Sequence, residues 1–366
     1  MSSTQCTTSL LLLSLMLASL AHASSQQVVD VTNNNYGVQI IPDGVTDNCQ
    51  AYADLQARVP DYVTFYHPAG YYYVSPANCP SGIVLSKHIS ILGESSGSYD
   101  KVGDMISPGT TVFLSPIVLN EYGGTSVRSV ALDARNGVLD MNNGISTGAP
   151  STLAGSTVIS DVLYVGSSVT YFVHPVHAIL LQSGPGNTVT NVRVYYAFHA
   201  VADRTSNSFI ANIYTWNCFD VVVKSYSGSG SADGNTLEGL TFDGDPGAAG
   251  MLIFTAEAQG VETANNFTYV IHCHNSPYCV VFEADHGGAM SNIRVDFISD
   301  RDGGTVIYTY FGDQNPGNSM SNLSFDGVWY WNVTGTPPIF NSANASSFSV
   351  NLVPPRLGRP ARLFTR

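Results

Sequence analysis

Beyond about Gly124 the chain returns, every 21 to 30 residues, to one short phrase: a small residue or Asn, then alternating apolar positions. It reads SVALDAR at Ser129, SDVLYV at Ser160, TNVRVYY at Thr190, ANIYTW at Ala211, EGLTFDG at Glu238, SNIRVDF at Ser291 and SNLSFDG at Ser321. TYVIHC at Thr268 is a looser copy. A second apolar run follows after a short turn: HAILLQ at His177, HAVADR at His199, DVVVKS at Asp220, MLIFTA at Met251, CVVFEA at Cys279 and TVIYTY at Thr305. A period of two, with Gly and Asn at the bends and no helical period, predicts two or three short strands per coil of a β-solenoid. Such coils stack about 4.8 Å apart, so equivalent positions form ladders. Upstream the pattern changes. Asp47 sits where an N-cap belongs, Ala51, Tyr52, Leu55 and Val59 follow at helical spacing, and Pro60 stops the run. The spacing predicts a helix over 47–59, then strands within Val63–Val74 and Ile89–Gly97.

The stretch Asp43–Asp47, reading DGVTD ahead of that helix and a train of short strands, resembles the opening of the pectate-lyase superfamily of right-handed parallel β-helices. Polygalacturonase-like and polysaccharide-lyase-like proteins are among its members. The resemblance spans about Asn35 to Val333. It implies an all-β fold, one right-handed parallel β-helix domain over 24–345 with the 47–59 helix capping its N-terminal end. It also implies an open groove that handles polysaccharide, on the sheet built from the second runs. The sharper signatures of the family do not reappear. The NTD, paired-Asp, GHG and RIK segments of polygalacturonases are absent, as is the DPHD of mannuronan epimerases. Ala202-Asp203-Arg204 and Val223-Lys224-Ser225 lie in comparable places.

Composition narrows the partners. Charged residues make up only 11% of the chain, against roughly 25% in an average soluble protein. Net charge is −13, or −17 once the four arginines Arg356, Arg359, Arg362 and Arg366 are set aside. That surface repels phosphate backbones, so no nucleic-acid partner is expected; an anionic glycan would need calcium or a local basic patch. Leu10–Leu20 is apolar but too short to span a bilayer, and Ala21-His22-Ala23 offers a small-x-small cleavage site. Residues 1–23 therefore read as a secretory signal, although no Lys or Arg precedes Arg58. The mature protein is expected to be secreted, extracellular, membrane-free and monomeric, with an extended or disordered basic tail over 346–366. Once Cys6 leaves, Cys49, Cys79, Cys218, Cys273 and Cys279 remain, an odd number that implies two bridges and one thiol. Cys49 with Cys79 is one expected bridge, and the other pairing stays open. Zinc on His272, Cys273, His274 and Cys279 is disfavoured, because the compartment oxidises thiols and the spacing fits no common site. Sequons at Asn266, Asn322, Asn332 and Asn344 are expected glycosylation sites.

Candidate chemistry follows from aligning the second runs. His177, His199 and Asp220 share a column, and Leu181, Asp203, Lys224 and Glu283 share another four residues on, while Ala178, Ala200 and Val221 read as core. One outward face then gathers His177, His199, Asp203, Arg204, Asp220, Lys224 and Glu283. Glycoside hydrolysis needs one carboxyl kept protonated and a second that attacks or activates water. Asp203 and Asp220 are the expected pair, His199 orients Asp220 or acts as base, and Lys224 stabilises developing charge. His177, Arg204 and Glu283 would bind substrate. A β-elimination would use the same groups and bring Ca2+; otherwise no metal or cofactor is called for. A second outward column of Asp133, Val165, Tyr195, Trp216, Asp243, Asp296 and Asp326 offers Tyr195 and Trp216 for stacking on sugar rings. Asp243-Gly-Asp245, Asp285-His286 and Asp300-Arg301-Asp302 read as turn formers. Asn191, Asn212, Asn292 and Asn322 read as inward asparagines at one bend. The expected function is a secreted enzyme that cleaves a cell-wall-type or acidic polysaccharide by hydrolysis or elimination. The competing reading is a non-catalytic glycan-binding or structural β-helix.

Overall fold

Each coil bends at a residue whose backbone most side chains avoid. Ser129, Asp161, Asn191, Asn212, Gly239, Val270, Phe297 and Gly327 all have φ between 54° and 68°, and strand register holds on both sides of each bend. Asn, Asp and Gly tolerate this left-handed conformation, which is why the repeated phrase opens with them. One residue further on, Val130, Val162, Val192, Ile213, Leu240, Ile271 and Ile298 pair from coil to coil with at most 2% of each exposed. Burying one such side chain contributes about 1.5–3 kcal/mol, so the ladder is the spine of the core.

The structure, a computed structural model, describes residues 27–34, 36–119, 123–135, 143–147, 156–167, 176–182, 184–227, 234–244, 252–257, 262–264, 267–332, 339–341 and 347–353. The signal segment, residues 354–366 of the tail, and the sequons at Asn266 and Asn344 lie outside the described residues. Among those described, one sheet of 15 strands carries the repeated phrase and one of 10 carries the second runs. Pairing is parallel throughout except for the small hairpin of Tyr99–Asp100 with Met105–Ile106. Inward side chains of both sheets meet in one core, so their outward faces point to different sides of the barrel. This is the right-handed parallel β-helix expected from the sequence. No helix among the described residues is long and apolar enough to cross a membrane.

Among the described residues one α-helix, α1, spans Cys49–Arg58 and buries Tyr52 and Leu55 in the core. Asp47 Oδ1 accepts from the Cys49 amide at 3.0 Å and from the Ser75 amide at 2.8 Å. Its carboxylate thus serves the first helical turn, as the spacing suggested, although the N-cap position itself is Asn48. Cys49 and Cys79 are bridged, Cys273 and Cys279 close the short loop, and Cys218 is a buried thiol outside both bridges. Two disulfides are the mark of an oxidising compartment.

Three expectations need correction. The strands Ala289–Arg301 and Ser319–Trp331 each run 13 residues and contain an extra left-handed corner, at Asn292 and Asn322. The phrase copies at Ser291 and Ser321 mark that extra corner, so Asp243 aligns with His274 and Arg301 rather than with Asp296 and Asp326. Asn191, Asn212, Asn292 and Asn322 are exposed, not inward; Asn212 Nδ2 donates to Asn191 at 3.2 Å and Asn322 Nδ2 to Asn292 at 2.7 Å. The asparagines that serve buried corners are Asn187, Asn235 and Asn318, which accept from the amides of Thr157, Ser208 and Gly287. Finally, Ser349–Leu352 pairs with the preceding coil, so the solenoid continues past residue 345.

Val270, at φ 57°, is a β-branched residue in a ladder built for Asn and Gly. The left-handed conformation costs such a residue about 1–2 kcal/mol. Val270→Asn should therefore raise the urea midpoint, by about 1 kcal/mol of stability, with the denaturant slope unchanged. A lowered midpoint would mean that packing of the valine outweighs the backbone cost.

Candidate functional site

At the start of neighbouring strands of the ten-stranded sheet, His177 and His199 stack with ring centroids 4.7 Å apart and Nδ1 atoms 2.9 Å apart. Burial, then the charges of His199 and Arg204, pushes His177 down to about 3. Burial and Arg204 bring His199 down to about 4. Both rings are therefore neutral at physiological pH, one N–H donating to the other's lone pair. Phe198 tilts against His199 at 4.5 Å and stacks on Phe219 at 4.8 Å.

Asp203 does not join them. It is fully buried, and its Oδ1 accepts from the Thr205 amide at 2.9 Å and the Thr205 hydroxyl at 2.8 Å. Its register column runs from Leu181 through Lys224, Phe254 and Phe282 to Thr309. Leu181, Phe282 and Thr309 in that column are fully buried, and Asp203 faces the core with them. This corrects the expectation that Asp203 meets solvent as half of an acid/base pair. The cause is the choice of face: Ile179, Leu181 and Val201 of the same strands point into the core, and Asp203 with them. A separate one-residue slip follows: Val223, not Val222, pairs with Ile253, and Val280, not Val281, pairs with Ile307. Glu283 consequently lines up with Thr255 and Ser225, one column on from Asp203. Asp220 lies opposite His199, and Lys224 opposite Asp203, by backbone register; their side chains lie outside the described part of the structure.

The slip gathers a different set. Glu283 and Asp285 alternate with the buried Phe282 and Ala284 and so point outward. Glu283 Oε1 and Asp285 Oδ2 lie 2.7 and 3.1 Å from where a Cβ on Gly312 would stand, so any side chain there would strike both carboxylates. Asp285, His286 and Asp313 bring donor atoms within 4.8 Å of one another, and His286 Nδ1 is 3.0 Å from Asp285 Oδ2. Burial pushes the Asp313 carboxyl up, but the Asn318 side chain, the Asn315 amide, the Asp285 carboxyl and the His286 amide together hold it below the ordinary range. Burial, then Glu283, pushes the Tyr310 phenol up, and its hydroxyl bonds to Glu283. Tyr278, Tyr308 and Tyr310 stack in series at 5.4 and 5.0 Å. An aromatic platform thus borders a carboxyl cluster. Two carboxylates and an imidazole fall short of the roughly six to eight oxygens that Ca2+ takes, so this set does not fit the ion an elimination would bring.

The other outward face, on the fifteen-stranded sheet, holds Tyr195 and Trp216. Tyr195 is 9% exposed and closed over by Tyr99 of the hairpin at 4.9 Å, so it is packed rather than open to sugar. Lys101 Nζ of the same hairpin sits 3.1 Å from the centre of the Trp216 ring. Next along the register come Asp243, His274, Arg301 and Trp331. His274 Nδ1 is 2.9 Å from Asp243 Oδ1, and its Nε2 is 3.6 Å from Asp302 Oδ2.

No protein-family model matches the chain, and no curated protein sequence is significantly similar to it. A solved structure shares its fold, and others show a weaker likeness. A polygalacturonase from Erwinia carotovora ssp. carotovora superposes with a TM-score of 0.60 at 11% identity, covering 85% of this chain and 95% of that one. The A-module of the Azotobacter vinelandii mannuronan C-5 epimerase AlgE6 gives 0.45 at 15% identity, over 88% and 99%. The catalytic unit of a GH87 α-1,3-glucanase from Streptomyces thermodiastaticus gives 0.46 at 12%, over 90% and 69%. The fold is thus the pectin-lyase-like parallel β-helix that the DGVTD stretch and the coil rhythm imply. Identity this low leaves the reaction to be argued from the residues.

Proposed function

We propose that the protein is a secreted glycoside hydrolase acting on a cell-wall-type polysaccharide at the Glu283–Asp285–Asp313 cluster. The observation that carries this reading is the convergence of three carboxyls around Gly312 beside a stacked tyrosine platform. Asp285 is the carboxyl assigned to deliver a proton to the leaving oxygen, and Glu283 is the second carboxyl, which attacks the sugar carbon or activates water. Tyr278, Tyr308 and Tyr310 offer ring faces to the sugar, as aromatic side chains with a polar edge do. His199 lies on the strand three away from that of Glu283 in the sheet order, Arg204 just follows it, and His177 is one strand further; these groups would hold the polymer further along the groove. Three clustered carboxyls repel a uronate, so the polymer favoured is uncharged. The disulfides fit an extracellular site of action, reached after loss of residues 1–23.

Incubation with glucan, mannan, xylan and polygalacturonate tests this. New reducing ends from a neutral polymer, without an ultraviolet-absorbing unsaturated product, are the expected result. Unsaturated uronate would replace hydrolysis by elimination. Retention on a polymer without cleavage would leave a non-catalytic glycan-binding protein.

A further inference from the structure

The chain contains three tryptophans, and all of them lie in the two outward columns of the fifteen-stranded sheet. One column runs Trp216, Asp243, His274, Arg301, Trp331, and its neighbour two residues earlier runs Tyr214, Thr241, His272, Ser299, Trp329. At about 4.8 Å per coil the distance from Trp216 to Trp331 is about 19 Å, the length of a short oligosaccharide. Trp331 is 60% exposed. A large apolar ring left in water with Trp329 two residues away on the same face is the mark of an interaction surface.

Between the aromatic ends the polar groups are already held in place. Tyr214 OH reaches Asp243 Oδ2 at 3.5 Å, and His274 bridges Asp243 and Asp302. Arg301 Nε donates to Asp302 Oδ2 at 3.1 Å and Asn332 Nδ2 to Asp302 Oδ1 at 2.7 Å. His272 Nδ1 lies 2.7 Å from Ser299 Oγ. The hairpin over 99–106 closes one end, with Lys101 clamped on Trp216. Fixed hydroxyl, imidazole, carboxylate and guanidinium groups between ring faces are what a chain of sugar hydroxyls and C–H faces needs.

We propose that this strip is a second, non-catalytic binding track for an uncharged oligosaccharide, on a different side of the barrel from the carboxyl cluster. Charge selects the class of ligand. Arg301 is matched by Asp302 and Lys101 is offset in charge by Asp243, so the strip has no surplus cation to offer a carboxylate, and the whole chain stands at −13, which disfavours a polyuronate. An enzyme with such a track stays on its polymer between cleavages. The track does not depend on the hydrolase reading, because ring stacking needs no turnover.

Tryptophan fluorescence tests it, since the three reporters all sit in the track. The wild-type protein is titrated with gluco-, manno- and xylohexaose, and with a galacturonate hexamer as the charged control. A saturable change with at least one neutral hexasaccharide, and little with the galacturonate, is expected. Trp331→Ala should weaken that binding by about tenfold, the loss of one buried aromatic contact. Arg301→Gln should weaken it several-fold with the melting temperature unchanged, and Glu283→Gln should bind like the wild type. The proposal is overturned if no neutral hexasaccharide alters the fluorescence, or if galacturonate binds equally well. It is overturned too if both track variants bind normally, or if Glu283→Gln abolishes binding. A fluorescence response in a protein with no turnover would sink the hydrolase and leave the track standing.

Discussion

Glu283→Gln and Asp285→Asn should each lower turnover on the polysaccharide by about a hundredfold or more, the order seen when general acid–base help is removed. Both side chains stand on the outward side of the strand Tyr278–Asp285, so the exchange leaves the inward Phe282 and Ala284 and the backbone ladder untouched. Asp285→Asn removes the carboxyl assigned as proton donor, and Glu283→Gln removes the nucleophile or base while keeping a partner for Tyr310. The loss should fall on kcat with KM little changed, because neither exchange alters the tyrosine platform. Asp203→Asn should behave differently. Its carboxylate is buried and accepts from two Thr205 donors, so the variant should cost about 1–3 kcal/mol of stability and leave kcat intact. Full activity in both cluster variants, or a kcat collapse in Asp203→Asn at unchanged stability, would move the chemistry elsewhere.

The fold was legible because stacking makes neighbouring coils obey one rule. An apolar residue must follow each left-handed corner, and Asn, Asp, Ser or Gly tends to occupy the corner, so the phrase repeats even where identity is low. The site was not legible for the same geometric reason. A ladder alignment is correct only if every coil has the same length, and side chains alternate across a strand. A slip of one residue therefore turns an outward position inward. The slip at Val223 set Glu283 one column away, whereas Asp203 kept its expected partners Leu181 and Lys224 and was misread because that column faces the core. The extra corner at Asn292 displaced Asp296 from the column of Asp243 in the same way. The cluster itself left a trace in FEADHGG, where Glu283 and Asp285 flank Ala284. Asp285-His286 looked like ordinary turn chemistry, and nothing local says that Asp313 and Tyr310 of the next coil complete it. His274 and Asp302 were hidden likewise, one just past a looser phrase copy and one within a turn.

Asp300→Asn should make the protein more stable at pH 8 than the wild type, by roughly 2–4 kcal/mol, while the two proteins are nearly equal at pH 4. Asp300 occupies an inward column with Phe242, Cys273 and Tyr330, is fully buried, and neither carboxyl oxygen makes a hydrogen bond among the described residues. Burial drives its pKa up to about 7 from an ordinary 3.8; the Asp302 charge adds to the rise, and the Arg301 amide offsets only part of it. The unfolded chain releases this proton near pH 4, whereas the folded chain holds it until about pH 7. Across that window the native state binds more protons than the unfolded state, so stability falls as pH rises, by about 1.4 kcal/mol per unit at most, and levels off above the folded pKa. Asn has nearly the same shape and no charge, so it removes this slope; the amide still lacks partners, which is why the expected gain sits below the full electrostatic cost. Urea unfolding at pH 4, 6 and 8 reads the difference directly. If both proteins lose stability in parallel from pH 4 to pH 8, Asp300 is ionised and accommodated in the core, and the pH dependence belongs to other groups.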